Sequence, residues 1–177
     1  MIFKFDPTFE ARSLHMPGED LLALDHIESQ LKWLLPPELR DLFKQFGSMI
    51  VFDQSVEFEA PDCIYSDKNG RIALSAIFGP ESGETGILGI NEAVGDQIPE
   101  DKIVFGDIGL GNMLLIDRNT QAVSVWLHDE ALPSRAITPI TPTFRDFLDL
   151  LFMVESPPLR SLKELGLDLK AMGLEED

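Results

Sequence analysis

Cysteine and serine are the side chains through which this chain could perform nucleophilic catalysis, but their sequence context does not favour it. Cys63 is the single cysteine, and no basic residue follows it before Lys68, so no neighbouring positive charge would stabilise a thiolate. The serines nearest a glycine, Ser48 and Ser82, do not stand in a Gly-x-Ser-x-Gly turn. We therefore expect Cys63 to be a core residue and the chain to have no catalytic nucleophile.

Metal ligands would have to cluster, and the histidines do not. No His-x-x-His or Cys-x-x-Cys pair occurs, and the three histidines are scattered at His15, His26 and His128. Oxygen side chains alternate at Asp117, Asn119 and Gln121, but the rest of a calcium-binding EF-hand pattern is absent. A hairpin turn explains these residues better, and we expect no metal site.

The segment Gly106 to Asn112 contains three glycines and invites comparison with a phosphate-binding loop. A P-loop would end in Gly-Lys-Ser/Thr, which is absent here. A dinucleotide fingerprint would need its third glycine directly before a helix, and no helix is predicted here. Its glycines fall between two predicted strands in an acidic stretch, where turns with positive φ explain them. We expect no nucleotide cofactor.

With 31 acidic residues, any single pair of carboxylates carries little information about hydrolysis. A small hydrolase remains a remote alternative, and its site would be sought first at Trp126, His128, Asp129 and Glu130. Trp126 and His128 alternate along a predicted strand and so share a face, which favours packing and a hydrogen bond that closes the hairpin. The sequence therefore predicts a protein that is not an enzyme.

Net charge is the outlying property of the chain. Lys and Arg number 14 against 31 Asp and Glu, giving a net charge of −17 and a pI near 4.4. Such a field disfavours nucleic acid and anionic membranes as partners and favours a basic protein, although acidity could equally serve solubility. The lone cysteine, the absence of a signal-peptide pattern and the absence of a long apolar run predict a cytoplasmic protein.

Periodicity along the chain predicts helices at both ends and strands between them. Helices are expected over 19–34, from Pro37 to Phe46 and over 143–153, the last capped by Thr143. Strands are expected near 49–58, 72–77, 102–105, 113–117 and 122–128, with an edge strand at 135–140. Residues 79–95 are glycine-rich and predict a long loop with one helical turn at Asn91 to Val94.

This order predicts an α+β fold: a single twisted, mainly antiparallel sheet of about five or six strands, flanked by N-terminal and C-terminal helices. We divide the chain into an irregular lead (1–18), one domain (19–155) and a C-terminal helical tail (156–177). Leucines recur at near-helical spacing from Leu159 to Met172. We expect this tail to pack on the domain; the alternative is that it grips a second copy, and the oligomeric state is left open.

Short motifs follow one another between residues 24 and 151 in a characteristic order and spacing: Ile27-Glu28, Leu31, Leu35-Pro36-Pro37-Glu38, Leu42-Phe43, Phe46-Gly47, Ile98-Pro99, Ile103-Val104-Phe105-Gly106-Asp107, Gly111-Asn112, Leu114-Leu115-Ile116-Asp117, Val123 to Asp129 with its Trp-x-His-Asp ending, and Thr143-Phe144-Arg145-Asp146-Phe147-Leu148. In this order and spacing, residues 24 to 151 resemble the SUKH superfamily, whose core members are the Smi/Knr-type domains. Two departures are Gly47-Ser48, where the family has an Asn-Gly-Gly-like turn, and the tail, which lies outside the resemblance.

The resemblance implies a protein-binding role without catalytic residues: bacterial members act as immunity proteins that neutralise toxins, often nucleases, and fungal members as scaffolds in cell-wall regulation. We expect an immunity protein that blocks a basic, nuclease-like toxin by occlusion; the alternative is a regulatory scaffold of the cell-wall-regulator type with no toxin partner. The segment from Arg71 to Arg118 has Lys102 as its one internal base and supplies most of the candidate interface. That interface comprises Glu81, Glu84, Glu92, Asp96, Asp107, Trp126, His128, Asp129 and Glu130.

Overall fold

The computed structural model describes residues 11–14 and 20–154, and the predicted C-terminal tail lies outside them. Within the described residues there are five helices and one sheet of eight strands. The helices are α1 (Leu24–Leu31), α2 (Pro37–Phe46), α3 (Ile87–Val94), α4, a single turn (Pro133–Ala136), and α5 (Phe144–Leu150). The strands are β1 (Ala11–Leu14), β2 (Met49–Glu59), β3 (Arg71–Ile77), β4 (Lys102–Asp107), β5 (Met113–Asp117), β6 (Val123–Trp126), β7 (Ile137–Thr141) and β8 (Phe152–Val154).

The sheet is an antiparallel meander in which each strand from β1 to β7 pairs with its neighbour in sequence. The predicted α+β class is confirmed, but the predicted count of five or six strands is too low. The two additional strands, β1 and β8, both pair with β2, whose 11 residues are long enough to hold two short strands. β1, inside the segment expected to be an irregular lead, pairs with the first half of β2, and β8 pairs with Ser55 to Glu57.

The ends of two predicted helices are changed by tertiary pairing. The helix expected over 19–34 begins only at Leu24, because Asp20 to Leu22 pair with the segment around Glu81 through the bonds Leu22 N to Pro80 O (2.8 Å) and Ser82 N to Asp20 O (2.7 Å). The helix expected over 143–153 begins as predicted, since the Thr143 hydroxyl accepts a hydrogen bond from Asp146 N at 3.1 Å. It ends at Leu150 because the next residues join the sheet as β8.

Aromatic side chains join α5 to the sheet. Phe144 and Phe147 of α5 meet Phe105 of β4 edge to face, with ring centroids 5.2 and 5.6 Å apart, and Phe147 meets Phe58 of β2 at 5.3 Å. All four rings are fully buried. Burial of an aromatic side chain is among the largest single contributions to a core, so this cluster fixes α5 over the middle of the sheet.

Helix α3 (Ile87–Val94) is longer than the single helical turn expected at Asn91 to Val94 within the 79–95 loop, and it fills a gap in the sheet. β3 and β4 pair only at Ala76–Asp107 and Ile77–Gly106, which leaves the first half of β4 without a neighbouring strand on that side. The side chain of Asn91 takes the strand's place: Oδ1 accepts from Val104 N at 2.9 Å, and Nδ2 donates to Val104 O at 2.8 Å. One amide thus satisfies both backbone groups of a buried residue.

We predict that Asn91→Ala lowers the free energy of unfolding by about 2–3 kcal/mol, because it leaves two buried backbone groups of Val104 without partners. Urea denaturation measures the change. Glu92→Ala, one residue along α3 and exposed, is the matched control and should change stability by less than about 0.5 kcal/mol. Equal stability of the two variants would contradict this role for Asn91.

The turn between β5 and β6, which was predicted from the sequence as a hairpin turn, is organised by Asp117. Its Oδ1 accepts from Asn119 N and Thr120 N, both at 2.8 Å, and its Oδ2 accepts from Lys102 Nζ at 2.5 Å. The Lys102 hydrogen bond, followed by these backbone N–H groups, holds the pKa of Asp117 well below its usual range. Burial acts to lower the pKa of Lys102, but hydrogen bonds to Asp117 and Asp101 raise it.

Because folding lowers the pKa of Asp117, its charge stabilises the fold above the unfolded-state pKa of about 4 and this contribution is lost as the pH falls. We predict that Asp117→Asn costs about 2 kcal/mol at pH 7 and distinctly less at pH 3, measured by urea denaturation. Asp101→Asn, which removes the more exposed partner of Lys102, should cost at most about 1 kcal/mol. A cost for Asp117→Asn that is the same at both pH values would show that the charge is not what stabilises the turn.

Candidate functional site

The structure divides the nine predicted interface residues into three sets. Glu81 and Trp126 are buried, with 0% and 6% of their surface exposed, so neither can present its side chain to a partner. Glu84, Glu92 and Asp96 are exposed on and around α3. The remaining four lie at one end of the sheet: Asp107 is the last residue of β4, and His128, Asp129 and Glu130 lie in the loop after β6.

Glu81 is a structural residue, which corrects its place in the predicted interface. Its Oε1 accepts from Met49 N at 3.1 Å, which ties the loop before α3 to the start of β2. Gly79 and Gly86 make room for it: a Cβ at Gly79 would lie 2.3 Å from Oε2, and a Cβ at Gly86 would lie 1.8 Å from the carbonyl oxygen of Glu81. Gly79 and Gly86 therefore accommodate a buried acid.

Trp126 is the second correction. It is the last residue of β6, where it pairs with Met113 of β5 and Ile137 of β7. Its ring lies 6.5 Å from that of His128 in an edge-to-face arrangement. Trp126 is thus a buried packing residue, and His128 beside it is exposed.

The exposed acids around α3 border an open groove of about 650 Å³. Its apolar lining comes mainly from Leu22, Leu88 and Ile90, and Glu84 and Glu92 contribute carboxylates. Asp96 follows in the 3-10 turn Gly95–Gln97 after α3. An apolar floor with acidic walls suits a partner that carries apolar and basic side chains together.

The second acidic group lies where three loops meet. In an antiparallel meander, alternate connections fall at the same end of the sheet, so the β2–β3, β4–β5 and β6–β7 loops are neighbours. We call loops 60–70, 107–112 and 127–136 together the hairpin-loop end. Tyr65 donates its hydroxyl hydrogen towards Ile108 O at 3.3 Å, and His128 N donates to Asn112 Oδ1 at 3.3 Å, so the middle loop is held from both sides.

Several carboxylates of the hairpin-loop end also shape its loops. Asp107 Oδ1 accepts from Gly109 N at 3.1 Å, and Glu130 Oε1 accepts from Leu132 N at 2.9 Å. In the first loop, the carboxylate of Asp67 accepts a hydrogen bond from the backbone N–H of Arg71, and this bond is the main cause that lowers the pKa of Asp67. Asp67 therefore stays ionised at neutral pH. Asp129 is exposed.

Two of the side chains considered for hydrolysis, His128 and Glu130, take part in this loop packing. Glu130 supports the backbone of Leu132 and lies 3.8 Å from the Arg135 guanidinium, and the ring of His128 rests on Gly111. Cys63 is buried with 4% of its surface exposed. In the part of the chain that the structure describes, no three His, Cys, Asp or Glu side chains form a group that could hold a metal ion. None of the described helices is both long and apolar enough to span a bilayer.

One feature of the hairpin-loop end was missed by the sequence reasoning. Leu110, at the tip of the middle loop, is 82% exposed and has a φ of +55°, a conformation that costs a leucine about 1 kcal/mol or more. The signal was present in the sequence as a leucine between Gly109 and Gly111. The glycines were interpreted as turn residues, and the leucine between them was not considered.

The family of this chain is identified by a match between its sequence and a protein-family model. The model described as the SMI1/KNR4 family (SUKH-1) matches residues 19–150, three quarters of the chain. The chain belongs to the SMI1/KNR4 family. The predicted resemblance to Smi/Knr-type SUKH domains is thereby confirmed. This family suggests a role in toxin immunity or cell-wall regulation through protein–protein interaction, and it is generally non-catalytic. No curated protein and no solved structure matches the chain.

The contact between His128 and Gly111 gives a test of how the middle loop is held. A Cβ at Gly111, whose φ is +80°, would lie 3.0 Å from the His128 ring. We predict that Gly111→Ala costs about 1–2 kcal/mol in urea denaturation, from backbone strain and from this contact. In a His128→Ala background the contact is gone, so the cost of Gly111→Ala should fall. Strictly additive effects would show that the ring does not hold the loop.

Proposed function

We propose that this SMI1/KNR4 protein is a non-enzymatic immunity protein that neutralises a basic, nuclease-like toxin domain by covering the toxin's working surface. The family membership supports a protein-binding role of this kind. The observation that carries the proposal is the charge of the surface: acids are left exposed around α3, while most of the bases in the described part of the chain are paired with acids.

The pairing of the bases is extensive in residues 11–14 and 20–154. Seven of the ten Lys and Arg residues there lie within 4 Å of a carboxylate: Arg12, Arg40, Lys44, Arg71, Lys102, Arg135 and Arg145. Lys102, the one base between Arg71 and Arg118, is bonded to both Asp101 and Asp117. Its charge therefore does little to offset the exposed acids Glu84, Glu92 and Asp96.

An acidic surface of this kind suits a protein that must find a basic enzyme quickly. Domains that bind nucleic acid carry clustered Lys and Arg on the surface that contacts phosphates. Opposite fields raise the association rate, and a partner seated on the cationic surface excludes the nucleic acid from it. The mechanism needs no chemistry from this chain, only complementary charge and shape.

We predict that the triple variant Glu84→Gln, Glu92→Gln and Asp96→Asn slows association with the toxin about tenfold at low salt, because it removes steering charge. The toxin to use is the domain encoded beside the gene for this chain, and stopped-flow fluorescence measures the rate. The effect should fade at about 0.5 M salt, where screening is strong. Co-expression of the unaltered chain should protect cells from the same toxin.

The matched control is Asp25→Asn, Asp53→Asn and Asp149→Asn, which changes the formal charge equally at exposed positions on α1, β2 and α5. A similar rate for the two triple variants would mean that total charge matters and the α3 surface does not. A basic toxin domain that neither binds nor is neutralised by the unaltered chain would refute the proposal itself.

The groove beside α3 favours a second candidate, a regulatory scaffold of the cell-wall-regulator type with no toxin partner. An open groove of about 650 Å³ with an apolar floor is suited to holding a peptide segment of a client protein. The scaffold gives no protection against a toxin in the co-expression assay, whereas the immunity protein does, so that assay separates the two candidates.

A further inference from the structure

Large exposed apolar side chains are concentrated at the hairpin-loop end. The described residues contain five such side chains, and three of them lie there, one on each loop: Ile64 (56% exposed), Leu110 (82%) and Leu132 (52%). The other two, Leu21 and Leu34, precede α1 and follow it. A single exposed leucine is ordinary in a soluble protein, but one on each of three adjoining loops is a pattern that needs a cause.

Contacts between the loops bring together the three segments that carry these side chains. Tyr65, next to Ile64, approaches Ile108 O and Gly109 O at 3.3 and 3.5 Å. On the other side of the middle loop, the His128 ring packs on Gly111, and Leu132 follows in the same loop as His128. Leu110 therefore lies on the middle loop, between the loops that carry Ile64 and Leu132.

The backbone at Leu110 shows that folding alone does not account for this residue. Gly109, Leu110 and Gly111 have φ values of +89°, +55° and +80°, so leucine occupies one of three consecutive left-handed positions. A glycine would adopt that conformation without the steric penalty of a Cβ. With 82% of its surface exposed, the leucine side chain recovers little by packing. Strained residues that the fold does not need are commonly found where a protein binds something.

Charge around the three side chains indicates what they would bind. The hairpin-loop end contains five acids, Asp62, Asp67, Asp107, Asp129 and Glu130, against two bases, Lys68 and Arg135. Arg135 lies 3.8 Å from Glu130, which offsets part of its charge. An apolar centre with an acidic rim is complementary to an amphipathic segment whose apolar side chains are flanked by Lys or Arg.

We infer that the hairpin-loop end is the anchoring surface for a basic, amphipathic segment of the protein partner, with Leu110 as the central contact. The inference rests on the proposed function and adds a division of labour to it. The acids around α3 set how fast the partner arrives, and the apolar contacts at the hairpin-loop end set how slowly it leaves.

The surface can be tested without the partner by using a synthetic amphipathic helix of leucine and lysine, about 18 residues long, as the probe. Titration into the isotope-labelled protein, followed by amide chemical shifts, should perturb residues 60–70, 107–112 and 127–136 most. A peptide with serine in place of leucine and the same charge should bind at least about tenfold more weakly, since it loses the apolar contact. Shifts centred on α3, equal binding of the two peptides, or no binding of the leucine peptide would overturn the inference.

A second measurement separates a binding role of Leu110 from a structural one. We predict that Leu110→Gly leaves the urea midpoint unchanged or higher, because the left-handed strain is relieved, while the affinity for the leucine peptide falls about tenfold. Leu34→Gly, at a 77% exposed leucine beyond α1, is the control and should leave the affinity unchanged. Equal loss of affinity in both variants, or no loss in either, would contradict the assignment.

The toxin distinguishes this inference from the proposed function. If the toxin binds the unaltered chain, and Leu110→Gly increases its dissociation rate about tenfold while Leu34→Gly does not, both hold. If the toxin binds and Leu110→Gly has no effect, the anchoring surface is wrong and the proposed function stands. If the toxin does not bind but the peptide assay succeeds at the hairpin-loop end, the proposed function fails and the surface remains.

Discussion

Antiparallel pairing of each strand with its sequence neighbour is the constraint on which the rest of the structure depends. It sends consecutive connections to opposite ends of the sheet, so the β2–β3, β4–β5 and β6–β7 loops must meet at one end. The long connection between β3 and β4 leaves from the other end and contains α3. The separation of the two acidic groups therefore follows from topology, and no long-range interaction is needed to explain it.

Helix α3 has its position because β3 ends at Ile77 and leaves the first half of β4 without a neighbouring strand on that side. A strand edge in the interior of a domain must have its backbone groups satisfied, and Asn91 satisfies those of Val104 from a helix. The same residue donates to Ile87 O within α3, so it fixes the helix and the strand relative to each other. Glu84, Glu92 and Asp96 are thereby carried on an element that is fastened to the core.

Local signals in the sequence predicted the features that local physics controls. Pro37 at the start of α2, Thr143 as the cap of α5 and Asp117 in the β5–β6 turn each act through neighbours a few residues away, and each was predicted. β1 and β8 were missed because such short strands have little pattern of their own and exist through their pairing with β2. The burial of Glu81 likewise depends on Met49, 32 residues earlier in the chain.

The candidate interface shows the same division between local and tertiary information. Sequence counts identified an acidic stretch correctly, because formal charge does not depend on the fold, but they could not separate a buried acid such as Glu81 from an exposed one such as Glu84. The apolar contribution could not be found from the sequence for a related reason: Ile64, Leu110 and Leu132 are far apart in sequence, and only the meander brings their loops to one end of the sheet. A binding surface made from three loops requires that every second strand connection fall at the same end of the sheet. The rigid sheet beneath keeps such loops in place while their tips stay exposed.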